Sequence, residues 1–193
     1  MFSQALPHFS IAEYLATERA AETRSEYLQG RIVAMAGATR NHGWIASETL
    51  IRLGEQLRGK ACGAAGSDVR LYIAKYDVLT YPDVIVTCGS DKCIDNERDT
   101  ITDATLIVEV LSPSTQNYDR SEKFDYYRGL PSFAEYLLLA QKSIRAEHHV
   151  RQPHGSWLFR EIADPTAVIE LASIGCRLPL GALYERVQFE EPA

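Results

Sequence analysis

Asp83, Glu109 and Lys123 are the residues whose types and spacing could do chemistry in this chain. Asp83 opens the apolar run Val84-Ile85-Val86, and Glu109 ends the run Leu106-Ile107-Val108. Both runs are short and rich in β-branched residues, which predicts buried strands. A carboxylate beside a buried strand loses solvation and needs a counter-charge, a hydrogen-bond donor or a metal. Two such carboxylates on neighbouring strands make a small hard-oxygen site of the kind Mg²⁺ prefers. Lys123 follows on a predicted helix and can bring a cation to the same place. Hydrolysis of a phosphodiester needs activated water and stabilisation of an anionic transition state. Carboxylate-held divalent cations supply much of this, and a lysine can orient water or neutralise phosphate. Glu26 could join as a third acidic ligand, although pattern alone reads it as an exposed strand charge.

The elements that must position these groups follow from period and punctuation. Ser10 and Glu13 fit a capping box for a helix over residues 11–20. Residues 26–35 read as two strand pieces around the Gln29-Gly30 turn. Thr39 leads into an amphipathic helix whose apolar side carries Trp44, Ile45, Leu50, Ile51, Leu53 and Leu57, ending near Gly59. His42, in its first turn, and Glu48 read as solvated or locally bonded. Residues 61–65 and 69–73 suggest a strand pair joined through Gly66-Ser67-Asp68, with 75–80 as a connection. Residues 88–103 read as an exposed, mobile surface loop. Ser112-Pro113-Ser114-Thr115 is a turn, and Asp119 or Ser121 can cap the helix that places Lys123 and Tyr127 on one face. Residues 136–140 are another buried strand, 143–150, 156–162 and 167–171 a meander of edge strands, and 178–183 the closing segment. His148, His149 and His154 read as a solvated edge, and Trp157 and Phe159 as core or interface.

Length and composition bound the reading. A chain of 193 residues with 46% hydrophobic and 24% charged residues is expected to form one soluble globular domain over residues 1–193. A net charge of −6 argues against a broad non-specific nucleic-acid surface but leaves room for a local basic patch. Cys62, Cys88, Cys93 and Cys176 form no CxxC pair, so four reduced thiols in a cytoplasmic protein are expected. No signal peptide and no membrane-spanning run is seen. Walker, GxGxxG, GxSxG and HExxH patterns are absent.

Pro82-Asp83 followed by Leu106-Ile107-Val108-Glu109-Val110-Leu111-Ser112-Pro113-Ser114-Thr115 resembles the bacterial "putative restriction endonuclease" family, within the PD-(D/E)XK nuclease superfamily. The likeness continues through Tyr118-Asp119-Arg120, Glu122-Lys123-Phe124, Tyr127 and Glu135-Tyr136. Upstream it includes Glu26-Tyr27, Gly30, Met35-Ala36-Gly37 and His42, so it covers nearly the whole chain. The resemblance implies an α/β (α+β), restriction-endonuclease-like fold, a mixed central sheet flanked by helices, to which the meander adds an antiparallel C-terminal part. It implies Mg²⁺, or Mn²⁺ in its place, held by Asp83, Glu109 and the carbonyl of Val110, with DNA as partner. Where the superfamily pattern expects lysine two residues after Glu109, this chain has Leu111. The resemblance transfers that role to Lys123 and gives Glu26 weight as an additional acidic residue. Ala140-Gln141 departs from the Val-Asp of many relatives, away from the expected chemistry.

The reading that results is a Mg²⁺-dependent endodeoxyribonuclease, with Asp83, Glu109, Lys123 and Glu26 as site residues. Its alternatives are a non-catalytic nucleic-acid-binding or assembly protein of the same fold, and a metal-dependent hydrolase of a small phosphorylated substrate. The apolar strands and edge meander also suggest a homodimer.

Overall fold

The two β-branched runs are neighbouring strands at the centre of the fold, and the rest of the chain packs on their two faces. The computed structural model describes residues 7–90 and 92–189. Its first half runs α1 (Ile11–Ala20), β1 (Ser25–Leu28), β2 (Arg31–Ala34), α2 (Arg40–Leu57), β3 (Cys62–Gly66), β4 (Arg70–Ile73), β5 (Val78–Thr80) and β6 (Val84–Cys88). Next come β7 (Thr100–Ile101), β8 (Leu106–Leu111), α3 (Gln116–Tyr118), a π-helical turn (Asp119–Lys123) and α4 (Phe124–Tyr127). The chain then forms β9 (Glu135–Ala140), β10 (Ala146–Arg151), β11 (Trp157–Ile162), β12 (Val168–Leu171), β13 (Cys176–Pro179) and a 3₁₀ turn (Gly181–Tyr184).

A six-stranded sheet has the order β11-β10-β9-β8-β6-β3, and only β8 and β9 are parallel within it. A five-stranded sheet has the order β2-β1-β5-β4-β7, and β12 pairs with β13 as a separate hairpin. Period-2 alternation sorts the central strands into two cores. Val84, Val86, Leu106, Val108, Val110, Leu137 and Leu139 meet α2 and the C-terminal hairpin on one face. Ile85, Ile107, Leu111, Tyr136 and Leu138 meet the five-stranded sheet and α4 on the other. Burial on both faces explains the continuous apolar runs that identified these strands. The expected mixed sheet with helices and an antiparallel C-terminal addition is therefore present.

Local signals account for the N-terminal third. Ser10 and Glu13 close a reciprocal capping box on α1. Gln29 and Gly30 both take positive φ, the requirement of a tight type I′ hairpin turn. Thr39 caps α2 by accepting the His42 N–H through its hydroxyl.

Several local expectations give way to tertiary pairing. β3 and β4 do not form a hairpin, because β3 pairs with β6 in one sheet and β4 with β5 and β7 in the other. The supposed connection over residues 75–80 contains β5, which joins β4 to β1. The polar loop before Asp103 is pinned rather than loose. Arg19 grips both Asp95 and Asp99, while buried Arg70 bonds to Asp99, Thr100 and the Tyr81 hydroxyl. Asp119 does not cap its helix but is buried within it, and the Ser112 hydroxyl instead accepts the Thr115 N–H at the start of the segment. The meander breaks after β11, since β12 turns away to pair with β13. Cys62 and Cys88, opposite each other on β3 and β6, form a disulfide, which corrects the expectation of four thiols; Cys93 and Cys176 are free.

The histidines of the meander also diverge from a solvated edge. Only His154 is exposed. His149 sits among Phe124, Tyr136 and Phe159, and burial pushes its ring pKa down. His148 lies 2.7 Å from Glu135 Oε2, and Glu135 Oε1 accepts the Ser173 N–H at 2.6 Å. This buried contact latches the turn of the β12–β13 hairpin to β9 and β10. Burial raises the Glu135 carboxyl, but its bonds to His148 and Ser173 outweigh burial and hold it below the ordinary value. A depressed folded pKa stabilises above the unfolded value, near 4.3, and that stability is lost as pH falls through the folded one. Glu135→Ala should therefore cost about 2–4 kcal/mol in urea unfolding at neutral pH, because the buried His148 and the half-buried Ser173 N–H both lose their acceptor. The difference from the parent should shrink below about pH 4. Equal stability of the two proteins at neutral pH would reject the latch.

Candidate active site

Asp83 immediately precedes β6, and the β6–β8 register carries it opposite Glu109. By alternation both carboxylates project to the side of Ile85, Ile107 and Leu111, towards the five-stranded sheet. They interlock through the backbone. Asp83 Oδ2 accepts the Val110 N–H at 2.7 Å, and Glu109 Oε2 accepts the Asp83 N–H at 3.3 Å. The β6 pairing with β8 has ended there, so the Asp83 side chain satisfies an amide that the neighbouring strand does not.

Lys123 reaches this place from the π-helical turn and is itself buried. Its Nζ lies 3.0 Å from Glu109 Oε1, 3.3 Å from Asp119 Oδ1 and 3.5 Å from Glu26 Oε1. Glu26 comes from β1, in the other sheet, and is 7% exposed, which corrects its reading as an exposed strand charge. The Tyr127 hydroxyl donates to Glu109 Oε1 at 2.7 Å, and the Tyr118 hydroxyl to Glu26 Oε2 at 3.3 Å. At the partly exposed side, His42 Nε2 lies 3.1 Å from Asp83 Oδ2. Thr39, which caps the helix carrying His42, also donates to buried Gln141 at 2.5 Å. Gln141 thus connects to the cluster only indirectly, through Thr39 and the helix turn that Thr39 caps.

Three nearly buried carboxylates share one ammonium. Burial pushes the Glu109 carboxyl up to about 8, against the pull of Lys123, while Asp83 and Asp119 add to the rise. Burial opposes the charge on Lys123, but Glu109, Glu26 and Asp119 outweigh it and hold its pKa well above the ordinary value. Burial and the neighbouring Glu109 likewise raise the Tyr127 phenol.

Asp83 and Glu109 supply hard oxygen donors of the chemical kind that a divalent cation takes. Mg²⁺ is bound through one or two carboxylates and keeps waters or phosphate oxygens for the rest of its shell. Asp83 and Glu109 stand side by side with the Val110 backbone between them, and Glu26 Oε1, 3.5 Å from Lys123, has no hydrogen-bond partner among the described residues. Among the described residues no group of three His, Cys, Asp or Glu side chains is placed to hold a metal ion. Water or substrate would have to finish the coordination.

All four residues singled out by sequence are therefore brought together, whereas Leu111 is packed in the core. Sequence reasoning undervalued His42 and passed over Asp119 and Tyr118 as site residues. Asp119, Lys123 and Tyr127 recur at intervals of four, a spacing that could have grouped them. His42 carried no such local signal, because its approach to Asp83 depends on how α2 crosses the sheet.

This chain belongs to the Uma2 family, described as "Putative restriction endonuclease", which it matches over residues 11–181. It is 37% identical over 161 residues to the uncharacterized Synechocystis protein sll1609, covering 83% of this chain and 91% of that one. It is 34% identical over 187 residues to slr1290 of the same organism, covering 97% of each. Its fold matches the crystal structure of a "putative nuclease belonging to DUF820" from Anabaena variabilis, with a TM-score of 0.74 and 18% identity. That match covers 93% of this chain and 99% of the other. Family and fold together make this a nuclease-like protein.

Removing the shared cation tests the electrostatic account. Lys123→Ala should destabilise the fold by about 3–5 kcal/mol in urea, measured without divalent cations, because it leaves buried carboxylates uncompensated. A loss below about 1 kcal/mol would show that the carboxylates do not depend on Lys123.

Proposed function

We propose that this protein is a Mg²⁺-dependent endonuclease that hydrolyses phosphodiester bonds of DNA, with Mn²⁺ able to replace Mg²⁺. The observation that carries this reading is the convergence of Asp83, just before β6, with Glu109 of β8, Glu26 of β1 and Lys123 of the π-helical turn. A purely structural role needs no such surplus of acid in a buried place, where unpaired charge is costly.

Asp83, Glu109 and the Val110 carbonyl would hold the cation, which would polarise the phosphate and lower the pKa of an attacking water. The chain's own groups supply orientation. The Val110 N–H and His42 fix the Asp83 carboxylate, while Lys123 and Tyr127 fix that of Glu109. Lys123 also offers positive charge to the phosphate or orients the water, and Glu26 supports it from the opposite sheet. His42 acts through Asp83 and is a positioning residue. DNA is the partner in this reading, and a cytoplasmic place is part of the proposal. No helix among the described residues is long and apolar enough to cross a membrane. A homodimer is part of the proposal, with the edge strand β11 and its exposed Leu158 and Phe159 as the surface for a second copy.

The test is cleavage of supercoiled plasmid with Mg²⁺ or Mn²⁺. Asp83→Asn and Glu109→Gln preserve shape and should lower the rate on the order of 10²-fold or more. His42→Ala should cost about 10-fold, recovered in part by raising the metal concentration. Activity that persists in Asp83→Asn would place the chemistry elsewhere. Salt-dependent DNA binding without cleavage would favour the non-catalytic reading.

A further inference from the structure

Beyond the carboxylate cluster, the parallel strands β8 and β9 end side by side at Leu111 and Ala140, and a crevice of about 240 Å³ opens over these ends. Its wall carries three cations, Arg120, Lys142 and Arg145. That concentration is unusual in a chain with a net charge of −6. Arg120 is held by Glu147, with Nε 3.0 Å from both carboxylate oxygens and a terminal nitrogen 2.8 Å from Oε1. Arg145 lies 4.0 Å from the same carboxylate and 3.6 Å from Glu161, and its Nε is buried with no hydrogen-bond partner among the described residues. Lys142 is exposed beside them. Glu147 and Glu161 offset two of the three charges, and the exposed Lys142 leaves the wall with a net positive charge. Ser112 and buried Gln141 add polar groups to it, and Leu111 and Ala140 are apolar. A phosphodiester, anionic and flanked by apolar sugar carbons, matches that mixture; a bare carboxylate would leave the apolar part unused.

The crevice shares its elements with the candidate site. Leu111 lies two residues beyond Glu109 on β8, and Arg120 three residues before Lys123 on the same helical segment. Strand rise makes the first offset about 7 Å. That is on the order of one to two steps along a nucleic-acid strand, where phosphates recur about every 3.4 Å of helix axis.

We propose that this crevice is a second phosphate subsite, in which Lys142 and Arg145, beside an Arg120 held in place by Glu147 and Gln116, receive a backbone phosphate of the strand whose neighbouring phosphate lies at Asp83 and Glu109. The assignment of that neighbour rests on the nuclease reading; the anion subsite does not. It gives the substrate strand a direction across the protein, from the carboxylates towards the ends of β8 and β9. Specificity for base sequence is not required, because phosphate contacts position a strand without reading it.

The experiment is fluorescence anisotropy of a labelled DNA duplex, without divalent cation, across roughly 50–200 mM salt. The proteins are the full chain, Lys142→Ala and Lys142→Ala/Arg145→Ala, with matching thermal melts confirming that each is folded. Each lost phosphate contact should flatten the slope of log affinity against log salt by about 0.9, so the double variant should lose nearly twice as much as the single. Unchanged slope and affinity in both variants would overturn the subsite. A parent chain that binds inorganic phosphate but no duplex would overturn the strand assignment. Plasmid cleavage by the parent is followed in parallel and separates the two ideas. Flattened slopes without cleavage leave the subsite standing and remove the nuclease reading; cleavage with unchanged slopes does the reverse.

Discussion

Everything near the candidate site depends on one buried ammonium. Lys123 stands among Glu109, Asp119 and Glu26, contributed by a central strand, the helical segment and the second sheet. In a low-dielectric interior such a group costs several kcal/mol per ion unless every charge finds a partner. One lysine cannot fully compensate three carboxylates, and Asp83 lies beside them. The shortfall appears as a Glu109 carboxyl pushed up to about 8 by burial and as a Glu26 oxygen that no hydrogen bond from the described residues reaches, 3.5 Å from the shared ammonium. A fold selected for stability alone would replace this cluster with apolar side chains. Its retention is the physical case for function.

The scaffold makes the cluster possible by ending hydrogen-bonded pairing at the right residue. β6 and β8 pair from Val84–Val108 to Val86–Leu106, while β8 continues beside β9 as far as Leu111. Past Val84 the backbone of β8 loses its β6 partner, and the Asp83 carboxylate takes up the Val110 N–H instead. The same step that satisfies an orphan amide fixes the orientation of an acidic side chain. Beyond it, the ends of β8 and β9 leave open space bordered by Arg120 and Arg145. The acidic cluster and the basic crevice thus both adjoin the end of β8, with the basic residues supplied by the helical segment and the β9–β10 connection.

Polar contacts away from the site hold the periphery to this scaffold. Glu135 joins His148 to the turn at Ser173, and so fastens the C-terminal hairpin to the main sheet. Arg70, Tyr81 and Glu18 form a buried chain of hydrogen bonds that ties α1 to the second sheet. Asp99 belongs to the same network, and its bonds to Arg19 and Arg70 hold its carboxyl well below the usual range. Each network crosses between elements distant in sequence, so each converts loop polarity into fixed geometry.

Local chemistry made much of this legible from residue order. The capping box at Ser10 and Glu13, the Gln29-Gly30 turn, the Thr39 cap and the β-branched runs each act within a few residues, so their signals survive without the fold. Asp83, Glu109 and Lys123 were legible because charged residues beside buried runs have few stable environments. What the tertiary structure decided was partnership across long separations. It sent β3 and β4 to different sheets, paired Cys62 with Cys88, buried His148 against Glu135 and turned Glu26 inward to Lys123. It also brought His42 to Asp83 through the crossing of α2. Sequence determined which groups needed partners, because desolvation is a property of a residue in its local run. Only the packed fold could decide which partners they found, because that depends on sheet order and on the face each strand presents.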